Sequence, residues 1–150
     1  MNLIAWSQNM TPEAAKAAGA ILVSKDQLFE RADILTIHLV LSSRTRGLVG
    51  VAELERMKPT AWLINASRGP IVEEPALISA LKNKRIAGAA IDVFEIEPLP
   101  PSHPFRTLDN VLATPHIAYV SHGLYSTFYE DTVSNIRKWL DTRHPYHKCI

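Results

Sequence analysis

The chain has 150 residues, of which 47% are hydrophobic and 21% are charged, so it is long enough to bury the core of one globular domain. Its 16 lysines and arginines nearly balance its 15 aspartates and glutamates, and no segment concentrates basic residues, so we expect no nucleic-acid partner. Cys149 is the only cysteine, which excludes an internal disulfide and favours a reducing, cytoplasmic location. The sequence has neither an export signal nor an apolar run of roughly 18 residues, so no membrane contact is expected.

Short apolar runs of the β type alternate along the chain with segments of helical pattern. This alternation predicts an α/β fold in which helices flank a parallel sheet. The six predicted strands are Leu3–Trp6, Ala20–Val23, Ile34–Leu39, Ala61–Ile64, Ala87–Val93 and Val111–Ala113.

Helix start and stop signals lie between most of these strands. Thr11 and Ser24 are expected to cap two helices, the first opening at Pro12 and stopping at Gly19. The predicted helices after the first are Lys25–Arg31, Val51–Met57, Glu74 to about Lys84, and a long closing helix from about Ser121 to Leu140. Four prolines within the segment from Glu97 to Pro104 exclude helix and internal strand there, which predicts an ordered loop.

Polar residues accumulate where the predicted strands end. In an open α/β sheet, ligands bind outside the carboxyl ends of the strands, so these residues are the first candidates for a site. They are His38, Asn65, Ser67, Arg68, Asp92 and His116.

Arg68 lies in a strand-to-helix loop, where Gly69 is expected to relieve the steric limits on a tight turn. Its planar guanidinium matches a carboxylate in two-point contact, and a small 2-oxo or 2-hydroxy acid offers such a carboxylate. A surface arginine in a solvated turn is the alternative interpretation of this residue alone.

His116 is the candidate for proton transfer, because an ordinary imidazole titrates near neutral pH. The other histidines at 103, 122, 144 and 147 are expected at the surface, whereas His38 is either a buried, hydrogen-bonded strand residue or a cofactor contact. No histidine pair has zinc spacing with companion ligands, so no metal site is predicted.

The acidic candidates follow the fifth predicted strand. Either Glu95 or Glu97 could reach a histidine on the next strand and fix its tautomer, and spacing does not choose between them. Asp92 could accept a hydrogen bond from a nicotinamide or ribose group, or could serve only as a cap at a turn.

Three stretches together resemble the signature regions of the D-isomer-specific 2-hydroxyacid dehydrogenase family. The first consists of Met57–Ala61 and Leu63–Gly69. The second is Ala87–Pro98, with the sequence Ala-Gly-Ala-Ala-Ile-Asp-Val-Phe-Glu-Ile-Glu-Pro. The third is Asn110–Ile117, with the sequence Asn-Val-Leu-Ala-Thr-Pro-His-Ile. The resemblance extends from Leu3 to about Leu140 and implies a Rossmann-like, doubly wound sheet in the cofactor domain of such an enzyme.

The resemblance also implies roles for individual residues. Arg68 would bind and polarise the substrate, His116 would act as general acid and base, and Glu97 rather than Glu95 would orient the histidine. The reaction would be hydride transfer from NADH or NADPH to a small 2-oxo acid of the glyoxylate or hydroxypyruvate type, in an enzyme that is a homodimer at full length. The implied cofactor-binding residues are Ser7, His38, Ala66, Ser67, Arg68, Asp92, His116, Ala118 and Tyr119.

Some positions depart from the family pattern. No Gly-x-Gly-x-x-Gly turn is present, so we expect residues 1–141 to be a partial cofactor domain that lacks the first strand and helix, and residues 142–150 to be a tail. Ser7 stands where NAD-specific relatives usually have an acid, which leaves NADP open. For this chain alone, a non-catalytic remnant or binding module is the alternative to a working dehydrogenase. A corepressor related to these enzymes is a third, less favoured hypothesis.

Overall fold

The computed structural model describes residues 1–143, which form six strands and five α-helices. The strands are β1 (Ile4–Ala5), β2 (Ile21–Leu22), β3 (Ile34–Ile37), β4 (Trp62–Asn65), β5 (Gly88–Ile91) and β6 (Val111–Ala113). The helices are α1 (Pro12–Ala17), α2 (Lys25–Arg31), α3 (Val51–Arg56), α4 (Glu74–Lys82) and α5 (His122–Arg143). The predicted order of elements is confirmed, although most strands are shorter than predicted by a residue or more at one or both ends.

All of these strand pairs are parallel. β1 pairs with β2, and β3, β4, β5 and β6 form a four-stranded sheet in chain order; within residues 1–143 no strand pairing joins the two sheets. The register places Ile37 opposite Asn65 and Asn65 opposite Ile91, so the carboxyl ends of these strands lie level at one edge. The predicted α/β class, a Rossmann-like arrangement of helices and parallel strands, is confirmed.

Capping side chains set the starts of the first two helices. Thr11 Oγ1 accepts a hydrogen bond of 3.2 Å from the backbone N–H of Ala14, so the predicted cap of α1 is confirmed. Ser24 and Gln27 form a reciprocal capping box at the start of α2, in which each side chain accepts a bond from the other residue's backbone N–H. These bonds satisfy N–H groups that the helix itself leaves without acceptors.

The core of the first unit lies where the four-stranded sheet meets helices α3 and α4. Leu63 of β4 and Ala89 of β5 are completely buried, and Leu54 of α3 is buried with them. The predicted apolar face of α4 is buried as well; it consists of Ala76, Leu77, Ala80 and Leu81. Since each fully buried leucine contributes about 1.5–3 kcal/mol, this packing makes the sheet a firm support for the loops at its carboxyl edge.

Residues 1–116 form one compact unit, and the chain from Ile117 onward forms a second. The second unit contains α5, which confirms the predicted closing helix and continues it to Arg143. Residues 144–150 lie outside the described residues, and with them most of the predicted tail and the positions of His144, His147 and Cys149. Of the helices in residues 1–143, none combines the length and apolar character that a membrane crossing requires.

Candidate active site at the carboxyl edge of the sheet

The loop after β4 presents Arg68 at the carboxyl edge of the sheet, and Asn65 holds this loop in shape. Asn65 is only 2% exposed; its side-chain amide donates to the carbonyl of Arg68 at 3.0 Å and accepts from the backbone N–H of Ser67 at 3.1 Å. The Ser67 hydroxyl donates to the carbonyl of Leu39, which ties the loop to the chain after β3. The Arg68 side chain itself stays exposed, so the loop can offer it to a ligand.

The predicted tight turn is present at Gly69, but glycine is required there by the close approach of another loop and not by the backbone angles of the turn. Its backbone is not in the left-handed region, but a Cβ at this position would lie 2.2 Å from the carbonyl carbon and oxygen of Phe94 and 2.8 Å from the nitrogen of Glu95. The loops that follow β4 and β5 therefore pack backbone against backbone, and only glycine leaves room for this contact.

Glu97 and His116 form a hydrogen-bonded pair. His116 Nδ1 lies 2.8 Å from Glu97 Oε2, and the other carboxylate oxygen accepts a bond of 2.9 Å from the backbone N–H of Phe94. Burial alone would raise the pKa of Glu97, but the bonds from His116 and Phe94, together with the charges of His116 and Arg68, hold it below the ordinary value of 4.5. Of the three side chains named from the sequence, Glu97 is therefore influenced by both His116 and Arg68.

Glu95 has a different partner. Its carboxylate lies 3.6 Å from the guanidinium of Arg46, and both side chains are at least half exposed. The two acids that spacing could not separate are therefore distinguished by the structure, since Glu97 is the one that contacts His116.

The backbone of His116 is held by the end of β5. Its φ of +57° is left-handed, and its N–H donates to the carbonyl of Asp92 at 2.9 Å. The Asp92 side chain is 5% exposed and accepts a bond from the hydroxyl of Thr114. Thr114 was not singled out in the sequence, although the pairing of Ile91 with Ala113 places the next residues, Asp92 and Thr114, side by side.

The remaining sequence candidates lie on several different elements. His38 follows β3, is exposed and lies 3.0 Å from the Thr36 hydroxyl through Nε2, so the alternative of a buried strand histidine is wrong. Ser7 follows β1 and is partly exposed, and Ala66 is exposed at the end of β4. Ala118 and Tyr119 belong to the second unit and are exposed there.

His103 was expected at the surface, and this prediction is wrong. Its side chain is 13% exposed, and its Nε2 lies 2.9 Å from Glu74 Oε1 at the start of α4. Neither residue was identified as part of a site, because a histidine in a proline-rich loop and a glutamate in a first helical turn are both typical of exposed positions.

A pocket of about 790 Å³ opens beside the Glu97–His116 pair. Both residues contribute to its wall, and Phe94, Leu99 and Phe105 are among its apolar lining residues. A pocket that combines apolar walls with a few convergent polar groups is typical of a small-molecule site.

Comparison with known proteins agrees with this geometry. Residues 1–118 match the family described as D-isomer specific 2-hydroxyacid dehydrogenase, NAD binding domain. A glyoxylate reductase of Aeropyrum pernix is 47% identical over 118 residues, which cover 79% of this chain and 35% of that protein.

Solved structures share the fold as well. A phosphoglycerate oxidoreductase from Vibrio cholerae is 34% identical with a TM-score of 0.84, and the match covers 95% of this chain and 46% of that one. A D-isomer specific 2-hydroxyacid dehydrogenase from Xanthobacter autotrophicus, solved in complex with NADPH and MES, is 39% identical with a TM-score of 0.66 and covers 69% of this chain and 34% of that one. The chain spans less than half the length of each of these relatives. It belongs to the D-isomer-specific 2-hydroxyacid dehydrogenase family, and residues 1–118 correspond to that family's NAD-binding domain.

Proposed function

We propose that this chain carries the acid–base group, the substrate-binding arginine and the nicotinamide-binding edge of a dehydrogenase that reduces small 2-oxo acids of the glyoxylate or hydroxypyruvate type. The observation that carries this proposal is the contact of 2.8 Å between Glu97 and His116, next to a loop that presents Arg68. Carboxylate, imidazole and guanidinium are the groups that proton transfer to an anionic 2-oxo acid needs.

His116 is the proton donor in this proposal. The Glu97 carboxylate accepts a hydrogen bond from the N–H at Nδ1, so it fixes the tautomer and directs proton exchange with the substrate to Nε2. The side chain of His116 is 40% exposed, which allows a substrate oxygen to approach. His116 therefore gives its Nε2 proton to the oxygen of the 2-oxo acid during reduction and takes it back in the reverse reaction.

Arg68 binds the carboxylate of the substrate. Its guanidinium is permanently charged and planar, so it can hold both carboxylate oxygens and turn the neighbouring carbonyl toward His116. The bonds of Asn65 within the loop reduce the number of conformations of the Arg68 backbone, which lowers the entropy lost when substrate binds.

The residues at the strand ends fit a nicotinamide cofactor. Exposed Ala66 and the Ser67 loop offer an open surface for a carboxamide and ribose, and the largely buried Asp92 carboxylate at the end of the neighbouring strand offers a hydrogen-bond acceptor. His38, Ala118 and Tyr119 are further candidates that the family resemblance implies. A bound reduced nicotinamide supplies the hydride for this chemistry. Ser7 carries no charge that would repel a 2′-phosphate, so we propose that both NADH and NADPH are accepted.

The test is titration of the purified chain with NADH and with NADPH, followed by glyoxylate and hydroxypyruvate reduction measured from the absorbance of the reduced cofactor. Replacing His116 by Gln is expected to lower turnover about 10²- to 10⁴-fold, the usual contribution of a positioned acid–base group. The matched control is His122→Gln on exposed α5, which should leave the rate unchanged.

Arg68→Lys tests the substrate contact. It keeps the charge but loses the two-point contact, so the KM for the 2-oxo acid should rise roughly tenfold or more, while Arg31→Lys on α2 should not change it. Turnover that survives His116→Gln would refute the proposed chemistry. Binding of the cofactor without any turnover would instead identify the chain as a binding module.

A further inference from the structure

His103 forms a hydrogen-bonded contact with Glu74 that the proposed reaction does not use. His103 Nδ1 accepts a bond of 3.2 Å from the backbone N–H of Phe105, so Nε2 carries the proton and donates it to Glu74 Oε1 at 2.9 Å. The imidazole also packs on the ring of Phe105, with ring centres 4.8 Å apart. These contacts fix one end of the proline-rich loop.

Glu74 also reaches the other end of this loop. Its second carboxylate oxygen, Oε2, lies 3.5 Å from the backbone nitrogen of Glu95, which donates to it. One carboxylate at the start of α4 therefore holds residues 95 and 103, and Glu97 lies on the loop between them. Since α4 buries its apolar face in the core, the contact ties the loop to the core of the first unit.

Packing and backbone hydrogen bonds continue from His103 to Glu97. Phe105 is buried and packs on buried Phe94, with ring centres 6.3 Å apart. The backbone N–H of Phe94 donates to Glu97 Oε1 and so leaves Oε2 to accept from His116. A shift of either loop end would therefore change how the Glu97 carboxylate faces the imidazole.

We propose that Glu74 and His103 are positioning residues that hold the loop of residues 95–103 so that the Glu97 carboxylate accepts a hydrogen bond from the Nδ1–H of His116. The consequence for catalysis rests on the function proposed above, whereas the consequence for the His116 tautomer does not. Neither residue lines the pocket itself, although His103 packs on Phe105, which does, so we expect both to act through the loop and Glu97 and not directly on the substrate.

The test measures the tautomer of His116 in the purified chain by ¹⁵N nuclear magnetic resonance, at a pH where the ring is neutral. Glu97→Ala gives the ratio of Nδ1–H to Nε2–H forms when the carboxylate is absent. Glu74→Ala removes both loop contacts, and His103→Phe keeps the aromatic packing but removes both hydrogen bonds. We expect each to shift the ratio about two- to fivefold toward the Glu97→Ala value, the size of one weakened hydrogen bond.

Two further variants separate positioning from a general loss of stability. His103→Gln restores a donor to Glu74 and should recover at least part of the wild-type ratio. Glu53→Gln is the matched control, because Glu53 is a partly buried carboxylate at the start of α3 that also binds a side chain and a backbone N–H, yet it has no contact with the loop. It should destabilise the chain without changing the His116 ratio. If His103→Phe does not fold, the near-isosteric Glu74→Gln, which removes one of the two acceptors, is measured in its place.

An unchanged tautomer ratio in folded Glu74 and His103 variants, in a chain where Glu97→Ala does change it, would overturn the inference and leave the proposed function intact. A changed ratio in a chain that shows no turnover would support the positioning role and count against the proposed function. Where the chain turns over, the variants should lower kcat about tenfold with little change in KM, because they disturb proton transfer and not substrate binding.

Discussion

Replacing Gly69 by Ala should disrupt the site by displacing the two loops that carry Arg68 and Glu97. The new methyl group would meet the carbonyl carbon and oxygen of Phe94 at 2.2 Å, whereas ordinary van der Waals contact begins at 3.4 Å. Backbone atoms, unlike the far end of a flexible side chain, cannot rotate away, so one loop must be displaced by about an ångström. Such overpacking costs about 1–3 kcal/mol, and we expect the upper part of this range.

The assay is denaturant unfolding of the purified chain, together with the tautomer measurement for His116. A loss of about 3 kcal/mol lowers the melting temperature of a protein of this length by roughly 10 °C. Gly123→Ala is the control, because nothing lies within 4 Å of a Cβ added there and the residue is in α5, where alanine is favoured by up to about 1 kcal/mol. An unchanged free energy of unfolding and an unchanged His116 ratio in Gly69→Ala would refute the close packing of the two loops.

The loss of folding stability at acid pH should depend on two carboxylates. Burial would raise the pKa of Glu53 and Glu97, but hydrogen bonds and nearby cations outweigh it and lower both pKa values. The stability that these carboxylates contribute is therefore present above pH 4.5 and is lost as the pH falls through the lowered pKa. When unfolding is measured from neutral to acid pH, the free energy of unfolding should fall less steeply in Glu53→Gln than in the original chain. Thr114→Val leaves Asp92 with one donor fewer and should cost about 1–3 kcal/mol in denaturant unfolding, whereas Thr114→Ser should cost much less. Ser24→Ala removes half of the capping box and should cost about 1 kcal/mol in the same measurement.

The fold could be predicted from the sequence because its signals are local. Each strand is a short apolar run, and the capping residues Thr11 and Ser24 mark helix starts within three residues of the groups they bind. The strand ends were less predictable, since the last residues of a predicted strand keep their apolar character after the ladder hydrogen bonds stop. Val93 illustrates this, because it is apolar and buried yet lies beyond Ile91, where β5 ends.

The site was only partly predictable because its contacts join distant parts of the chain. Arg68 and His116 were identified as polar residues at strand ends, but spacing left Glu95 and Glu97 equivalent and only the family resemblance favoured Glu97. The contact between Glu74 and His103 spans 29 positions and joins two residue types that are usually exposed. No periodic pattern or local motif in the sequence indicates such a pair.

Gly69 shows how the two halves of the site depend on each other. The sequence revealed a glycine beside Arg68, and a turn was the natural explanation, yet the constraint comes from the backbone of Phe94 on another loop. Since Phe94 also donates to Glu97, the loop that presents the guanidinium rests directly on the loop that sets the carboxylate. A substitution that pushes the two backbones apart at Gly69 should therefore alter KM and kcat together, whereas a substitution that only turns the Glu97 carboxylate should lower kcat alone.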